Sequence, residues 1–163
     1  VNLIVAVDSN WGIGCRGNLL VSIPEDMRFF KEMTTGKTVI MGSATLKSLP
    51  GGKPLPNRRN IVLSRKKTDF GSSVEVCSGI DELFALIKKP DDNVFVIGGE
   101  EIYRLLLPYC KKAYITKIFK KFDADKYFPN IDLMPEWTLT EESETKNYNN
   151  ISYRFCTYLN TKI

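Results

Sequence analysis

Apolar residues fall in short, nearly unbroken runs along most of the chain: "NLIVAV" (2–7), "KTVIMG" (37–42), "NIVLS" (60–64), "VEVCS" (74–78), "NVFVIGG" (93–99) and "AYITKI" (113–118). Most of these runs are rich in Val and Ile and without alternation, which predicts strands buried on both faces, as in a parallel sheet. Between them the apolar spacing is that of a helix. "IPEDMRFFKEM" (23–33) sets Met27, Phe30 and Met33 on one stripe, and "IDELFALIKK" (80–89) groups Leu83, Phe84 and Ile87. "EEIYRLLLPYC" (100–110) groups Ile102, Leu105 and Leu106 before Pro108 stops it. Ser43 to Ser48 is too short for its pattern to assign. Past residue 136, "WTLTEESE" (137–144) and "ISYRFCTYL" (151–159) alternate polar and apolar. With "TKNYNN" between them they predict an antiparallel hairpin wetted on one face. The whole reads as α/β, an open and mainly parallel sheet covered on both faces. Such sheets bind ligands across the carboxyl ends of their strands.

Composition narrows the chemistry. The 163 residues predict one domain, and 43% hydrophobic with 26% charged residues is enough for a core that needs no disulfide or metal. The net charge of +4 is modest. Its basic runs, "RKK" (65–67) and "KIFKK" (117–121), belong to no nucleic-acid module, so no nucleic acid is expected as a partner. They read as solvated loop charge or as contacts to an anionic small molecule. Cys15, Cys77, Cys110 and Cys156 are scattered without a CxxC pair, and three lie in apolar segments. Free thiols and a strand-like opening segment, with no leader pattern, predict a reducing, cytoplasmic setting. No apolar run approaches the roughly 20 residues of a membrane span. The chain has no histidine, which removes Ser-His and Cys-His nucleophile systems and the commonest metal ligand; no metal is expected. Catalysis is left to a carboxylate, a Lys or Tyr, or a cofactor.

Asp26 is the candidate carboxylate. Ser22 and Glu25 form S-x-x-E, a predicted capping box, with Pro24 in the first helical turn. Asp26 then lies near the positive end of the helix dipole, and that alone accounts for an acidic residue there. The other account is a proton-handling acid, because Phe30 one turn on would exclude water from it and raise its pKa. "VFVIGGEEIY" (94–103) is either a tight strand-to-helix turn or an anion site of backbone amides; it is not a full G-x-G-x-x-G. "IGCRGNLL" (13–20) is a flexible loop or a lid over a ligand. Arg58, Arg59 and Arg65 flank a predicted strand, where an Arg is either solvated or clamps a carboxylate or phosphate.

Taken in order, "LIVAVDSNWGIG", "IPEDMRFFK", "VIMGSATLKSL", "PLPNRRNIVLSR", "VFVIGGEEIY", "YITKI" and "DADKYFP" resemble dihydrofolate reductase over essentially the whole chain. The resemblance implies one domain over 1–163 with an eight-stranded sheet, in which about 38–88 form an adenosine-binding subdomain and the remainder a loop subdomain. It implies reduction of dihydrofolate with NADPH by a monomer that antifolates would inhibit. Asp26 would be the acid beside the pterin. It would promote protonation of the ring imine nitrogen while hydride reaches the adjacent carbon, with Thr116 beside it. Ile4, Val5 and Ala6 would line the pterin end with Val21, and Ile97 and Tyr103 the floor where nicotinamide meets pterin. Phe30, Leu49 and Leu55 would take the aminobenzoyl ring, Met27 would be a further substrate contact, and Arg58 would hold the α-carboxylate of the tail. Toward the cofactor the resemblance implies Ile13, Gly14, Asn18 and Leu19 of the lid, and Gly42, Ser43, Ala44 and Thr45 beside the pyrophosphate. Opposite these would lie Gly98, Gly99, Glu100, Glu101 and Ile102, with Leu63, Ser64 and Arg65 at the adenosine 2′-phosphate.

Three positions depart from the family pattern. Leu20-Val21 stands where Pro-Trp is usual, which removes an indole donor near the pterin. Slower proton delivery or altered antifolate affinity is expected from that change. Ser43 replaces a common basic residue, and Leu46 a common aromatic. Two rivals stand beside this reading: the related pyrimidine reductase of riboflavin synthesis, and a folate- or nucleotide-binding module without turnover.

Overall fold

The computed structural model describes residues 1–66, 70–89 and 91–163, so Lys67 of the basic run at 65–67 lies outside the described residues. In chain order the elements are β1 (Asn2–Val7), β2 (Gly12–Gly14), α1 (Pro24–Thr34), β3 (Thr38–Gly42), α2 (Ser43–Ser48), β4 (Arg59–Leu63), β5 (Val74–Cys77) and α3 (Ile80–Ile87). There follow β6 (Val94–Gly98), α4 (Glu100–Leu106), β7 (Lys112–Ile118), β8 (Lys126–Tyr127), β9 (Trp137–Glu142), β10 (Lys146–Tyr148) and β11 (Ile151–Asn160).

The main sheet runs β10-β11-β7-β1-β6-β3-β4-β5, parallel from β7 to β5 and antiparallel where β11 meets β7. β9 also pairs with β11, on residues 156–160, while β10 pairs with 151–153. The two are halves of one interrupted edge strand, so the sheet has eight strand positions. The segment read as a connection contributes β10, and the turn shrinks to Asn149 and Asn150, whose φ angles of 47° and 64° suit a tight hairpin. A small second sheet pairs β2 with β8.

Why the central strands read as unbroken apolar runs is visible in the packing. Alternate residues enter different clusters: Ile40, Ile61 and Val96 face one side with Leu83, Ile87 and Leu106, while Val39, Met41 and Val62 face the other with Leu46. Burial on both faces removes the polar alternation. The chain passes from β1 through α1 to β3 on one side, and from β6 through α4 to β7 on the other. Right-handed crossovers in opposite senses put α1 and α4 on opposite faces. A crevice therefore opens at the carboxyl ends of β1 and β6.

Three local expectations need correction. The capping box does not form. Ile23 occupies the N-cap of α1 with no side-chain cap, because it is buried with Ile118 and Tyr153 and this burial fixes where the chain enters the helix. The predicted stripe is not the packed face of α1: Met27 is 54% exposed, whereas Phe29 packs against Phe155 and Tyr114, with centroids at 4.9 and 6.5 Å. On α4 the buried residues are Tyr103 and Leu106, and Leu105 is exposed.

Candidate active site

Asp26 leaves the first turn of α1 toward β7, where the Thr116 hydroxyl donates to its Oδ1 at 2.6 Å. Thr116 is buried and pairs in register with Ala6 of β1, which places the acid against the carboxyl end of the central strands. Burial raises the Asp26 carboxyl above its usual range; the Thr116 bond opposes that rise and the neighbouring Glu25 charge adds to it. A charge stabilised only by the helix dipole would shift the other way. The proton-handling account of Asp26 therefore has the electrostatics it requires.

The floor of the crevice is packed and hydrogen-bonded. Ile4 and Val5 are buried, Ala6 and Ile97 are half-buried, and the buried Tyr103 hydroxyl donates to the Ile4 carbonyl at 2.7 Å. Burial holds the Tyr103 phenol protonated, so it serves as a strut. Val21 is half-buried and, like Ala6, Phe122 and Phe155, packs against the buried cluster of Ile23, Ile118 and Tyr153, contributing bulk and no donor.

Next to this floor, glycines let two helix starts approach. A Cβ on Gly99 would lie 3.4 Å from Thr45 Oγ1, one on Gly42 3.1 Å from Ile102 Cγ1, and one on Gly98 3.2 Å from the Tyr103 ring. Gly98 also has φ +124°, a region that side chains rarely enter. Neither α2 nor α4 has a side-chain cap at its start, where the first-turn amides are those of Ser43, Ala44 and Thr45 and of Glu100 and Glu101, and the Gly42 and Gly99 contacts bring these two starts together. Such a cradle fits the phosphates of a nicotinamide dinucleotide. The Glu100 carboxylate is occupied elsewhere, accepting from the Tyr127 amide at 2.9 Å, and Glu101 is exposed. At the end of β4, Leu63 is buried, Ser64 accepts from the Lys66 amide at 3.3 Å, and Arg65 is exposed.

The opposite wall is apolar with one cation. Leu49 and Leu55 pack at the edge of the Val39–Met41 cluster, and Phe30 is half-buried. Asn60, which sequence reasoning missed, braces this wall: it is buried, accepts from the Leu55 amide at 3.0 Å and donates to the Leu55 and Arg58 carbonyls at 2.9 and 3.0 Å. Arg58 donates from Nη2 to Thr35 Oγ1 at 3.2 Å, while its Nε is buried without a partner among the described residues. An unsatisfied guanidinium N–H beside an apolar wall suits a carboxylate attached to an aromatic group.

The lid is also organised by residues outside the sequence reading. Asp8 is buried and accepts from the amides of Gly12, Asn10 and Phe122 at 2.7, 2.8 and 3.0 Å. Cys15 and Asn18 exchange two backbone hydrogen bonds of 3.0 Å, and Asp125 ties this tip down by accepting from the Arg16 amide at 2.9 Å. Ile13 and Gly14 are half-buried in β2, and Leu19 is 67% exposed. Among the described residues no cluster of metal-ligating side chains occurs.

The geometry thus brings together a half-buried acid, two glycine-lined helix starts and an arginine beside an apolar wall, and the comparisons give the family. The sequence profile described as dihydrofolate reductase matches residues 1–160. The chain is 35% identical over 159 residues to the dihydrofolate reductase of Bacillus subtilis (strain 168), covering 97% of this chain and 93% of that one. It is 37% identical over 160 residues to the enzyme of Neisseria meningitidis serogroup A, covering 98% and 97%. For the enzyme of Schistosoma mansoni the identity is 34% over 180 residues, covering 97% and 95%. With a match that spans both the acid-bearing helix and the glycine cradle, the chain belongs to the dihydrofolate reductase family.

Proposed function

We propose that this enzyme reduces dihydrofolate with NADPH and that Asp26 supplies the proton side of the reaction. One observation carries the reading: a half-buried carboxyl group, raised by that burial and bonded to Thr116, at the carboxyl ends of the central strands. Thr116 occupies Oδ1 and leaves Oδ2 to bind the amino edge of a pterin. A carboxyl whose pKa is raised keeps its proton at higher pH than an exposed one, which suits it to promote protonation of the ring imine nitrogen directly or through one water. That protonation makes the adjacent carbon electrophilic. When bound, the nicotinamide cofactor supplies the hydride.

The remaining residues bind, orient and exclude water. Ile4, Val5, Ala6 and Ile97, with Tyr103 beneath them, keep the reacting plane dry. Phe30, Met27, Leu49 and Leu55 pack the aminobenzoyl ring, and Arg58 pairs with the tail carboxylate. Gly42–Thr45 and Gly98–Ile102 hold the pyrophosphate with backbone amides, and Ile13, Gly14, Asn18 and Leu19 close over it. Leu63, Ser64 and Arg65 receive the adenosine end, where a 2′-phosphate would meet the Arg65 charge. On this assignment about 38–88, which hold β3, β4, β5, α2 and α3, act as the adenosine-binding half. We also propose a cytoplasmic monomer that binds no nucleic acid; its four unpaired thiols support a reducing setting. No described helix is long and apolar enough to cross a membrane.

The test is turnover of dihydrofolate followed by nicotinamide absorbance, with NADPH and NADH compared. Consumption of both substrates with a lower KM for NADPH supports the reading. Equal KM values would refute the role of Arg65, and absence of turnover would refute the reaction.

A further inference from the structure

Two hydrogen bonds leave consecutive residues of α1. Asp26 takes one from Thr116 on β7 at 2.6 Å, and Glu25 Oε1 takes the other from the Tyr153 hydroxyl on β11 at 2.8 Å. β7 and β11 are neighbours, with Thr116 opposite Phe155 and Ile118 opposite Tyr153. Successive helical residues point about 100° apart. Bonds from two of them to adjacent strands therefore set both the position and the rotation of the first turn. No side-chain cap at the N-cap does this instead. On its other oxygen Glu25 has the Lys146 ammonium of β10 at 3.6 Å, which also approaches Glu144 at 3.4 Å.

The same arrangement places a charge beside the acid. Around Asp26 stand Glu25 on its own helix, Tyr153 from β11 and Tyr103 from α4. Arg28 acts on Tyr153, and Lys146 from β10 acts on Glu25. Burial and the Glu25 bond push Tyr153 up to about 12, so it remains a donor near neutral pH. Thr116 is neutral. Glu25 and its Lys146 partner are thus an ion pair beside the acid.

We propose that Glu25, clamped between Tyr153 and Lys146, is a positioning residue for Asp26: it pins the first turn of α1 to β11 and sets the field in which Asp26 exchanges its proton. This deepens the role given to Asp26 above and rests on it for its consequence in turnover.

The experiment titrates the Asp26 carboxyl by 13C NMR in the ligand-free protein and measures turnover against pH in the same variants. E25Q keeps an acceptor for Tyr153 and removes the charge; K146Q removes the cation; Y153F keeps the ring and removes the donor. The Asp26 midpoint is expected to fall in E25Q and to rise in K146Q. It should fall in Y153F, where the released carboxylate turns to water. In E25Q, kcat near neutral pH should drop about two- to fivefold, with KM for dihydrofolate changing less. A natively folded E25Q whose midpoint is unmoved or raised overturns the proposal, as does a shift of the same sign in E25Q and K146Q. An unmoved midpoint in Y153F overturns the clamp. Should E25Q fail to fold, K146Q still decides: a midpoint unmoved or lowered overturns it. Because the titration needs no substrate, it is read separately from the role of Asp26 in turnover, which Asp26→Asn tests.

Discussion

Replacing Asp26 by Asn should make the protein more stable and less active. The carboxyl is raised by burial and by the Glu25 charge, against the lowering effect of the Thr116 bond. The folded state thus holds this proton more tightly than the unfolded chain does, where an Asp titrates near about 4. That stabilisation is complete below the unfolded pKa and is lost as pH rises through the folded pKa. At pH 7 the native state carries an anion withdrawn from water. An amide of the same shape carries no charge and can still accept from Thr116. Incompletely compensated polar burial costs about 1–3 kcal/mol, of which the Thr116 bond offsets part. The variant should gain about 1–2 kcal/mol at pH 7, or about 2–8 °C in Tm for a domain of this size. The gap should close as the pH approaches 4. Loss of the proton path should lower turnover about 10²- to 10⁴-fold. Urea unfolding of both proteins at pH 7 and pH 4, with nicotinamide absorbance for turnover, measures all three quantities. Equal stability at both pH values, or turnover undiminished at pH 7, would refute the reasoning.

Three further outcomes follow from the site geometry. Arg58→Gln removes the guanidinium whose Nε has no partner among the described residues; a charge-assisted contact of about 1.5–3 kcal/mol predicts KM for dihydrofolate about 10- to 100-fold higher with kcat changed less, and an unchanged KM would exclude Arg58 from the tail site. Gly12→Ala puts a Cβ 2.5 Å from that of Ala124 and 3.0 Å from both Asp8 oxygens. It should cost about 1–3 kcal/mol in urea unfolding and raise the KM of both ligands through the lid, and an unaltered midpoint would show that the loop yields there. Val21→Trp adds an indole donor at the Ile23 cluster, against which Ala6 also packs. It should alter the rate–pH profile, and an unchanged profile removes position 21 from the proton path.

Much of the fold was legible along the chain because its signals are local. The central strands β1, β3, β4 and β6 announced themselves as nearly unbroken apolar runs, since both of their faces are packed, and Asn149-Asn150 sits where a polar turn belongs. Gly98 and Gly99 were readable as a turn, and Asp26 as an acid at a helix start. The motif around that acid misled. S-x-x-E predicts a capping box, yet Glu25 bonds Tyr153 at a separation of 128 residues, because Ile23 is drawn into the cluster with Ile118 and leaves Ser22 outside the helix. The stripe of Met27 and Phe30 has the spacing of a packed face, but spacing is the same whether a face meets a sheet or a ligand.

What the sequence determined by itself was the order of buried strands and helices and the kinds of residue at their ends, for these depend on neighbours within a few positions. Tertiary structure alone decided which side of α1 meets the sheet, which amides share a concavity with Gly99, and how far water is kept from Asp26. The proton affinity of a carboxyl is set by its surroundings, and here burial raises it while the Thr116 hydroxyl, 90 residues along the chain, opposes that rise. Only folding brings the two groups together.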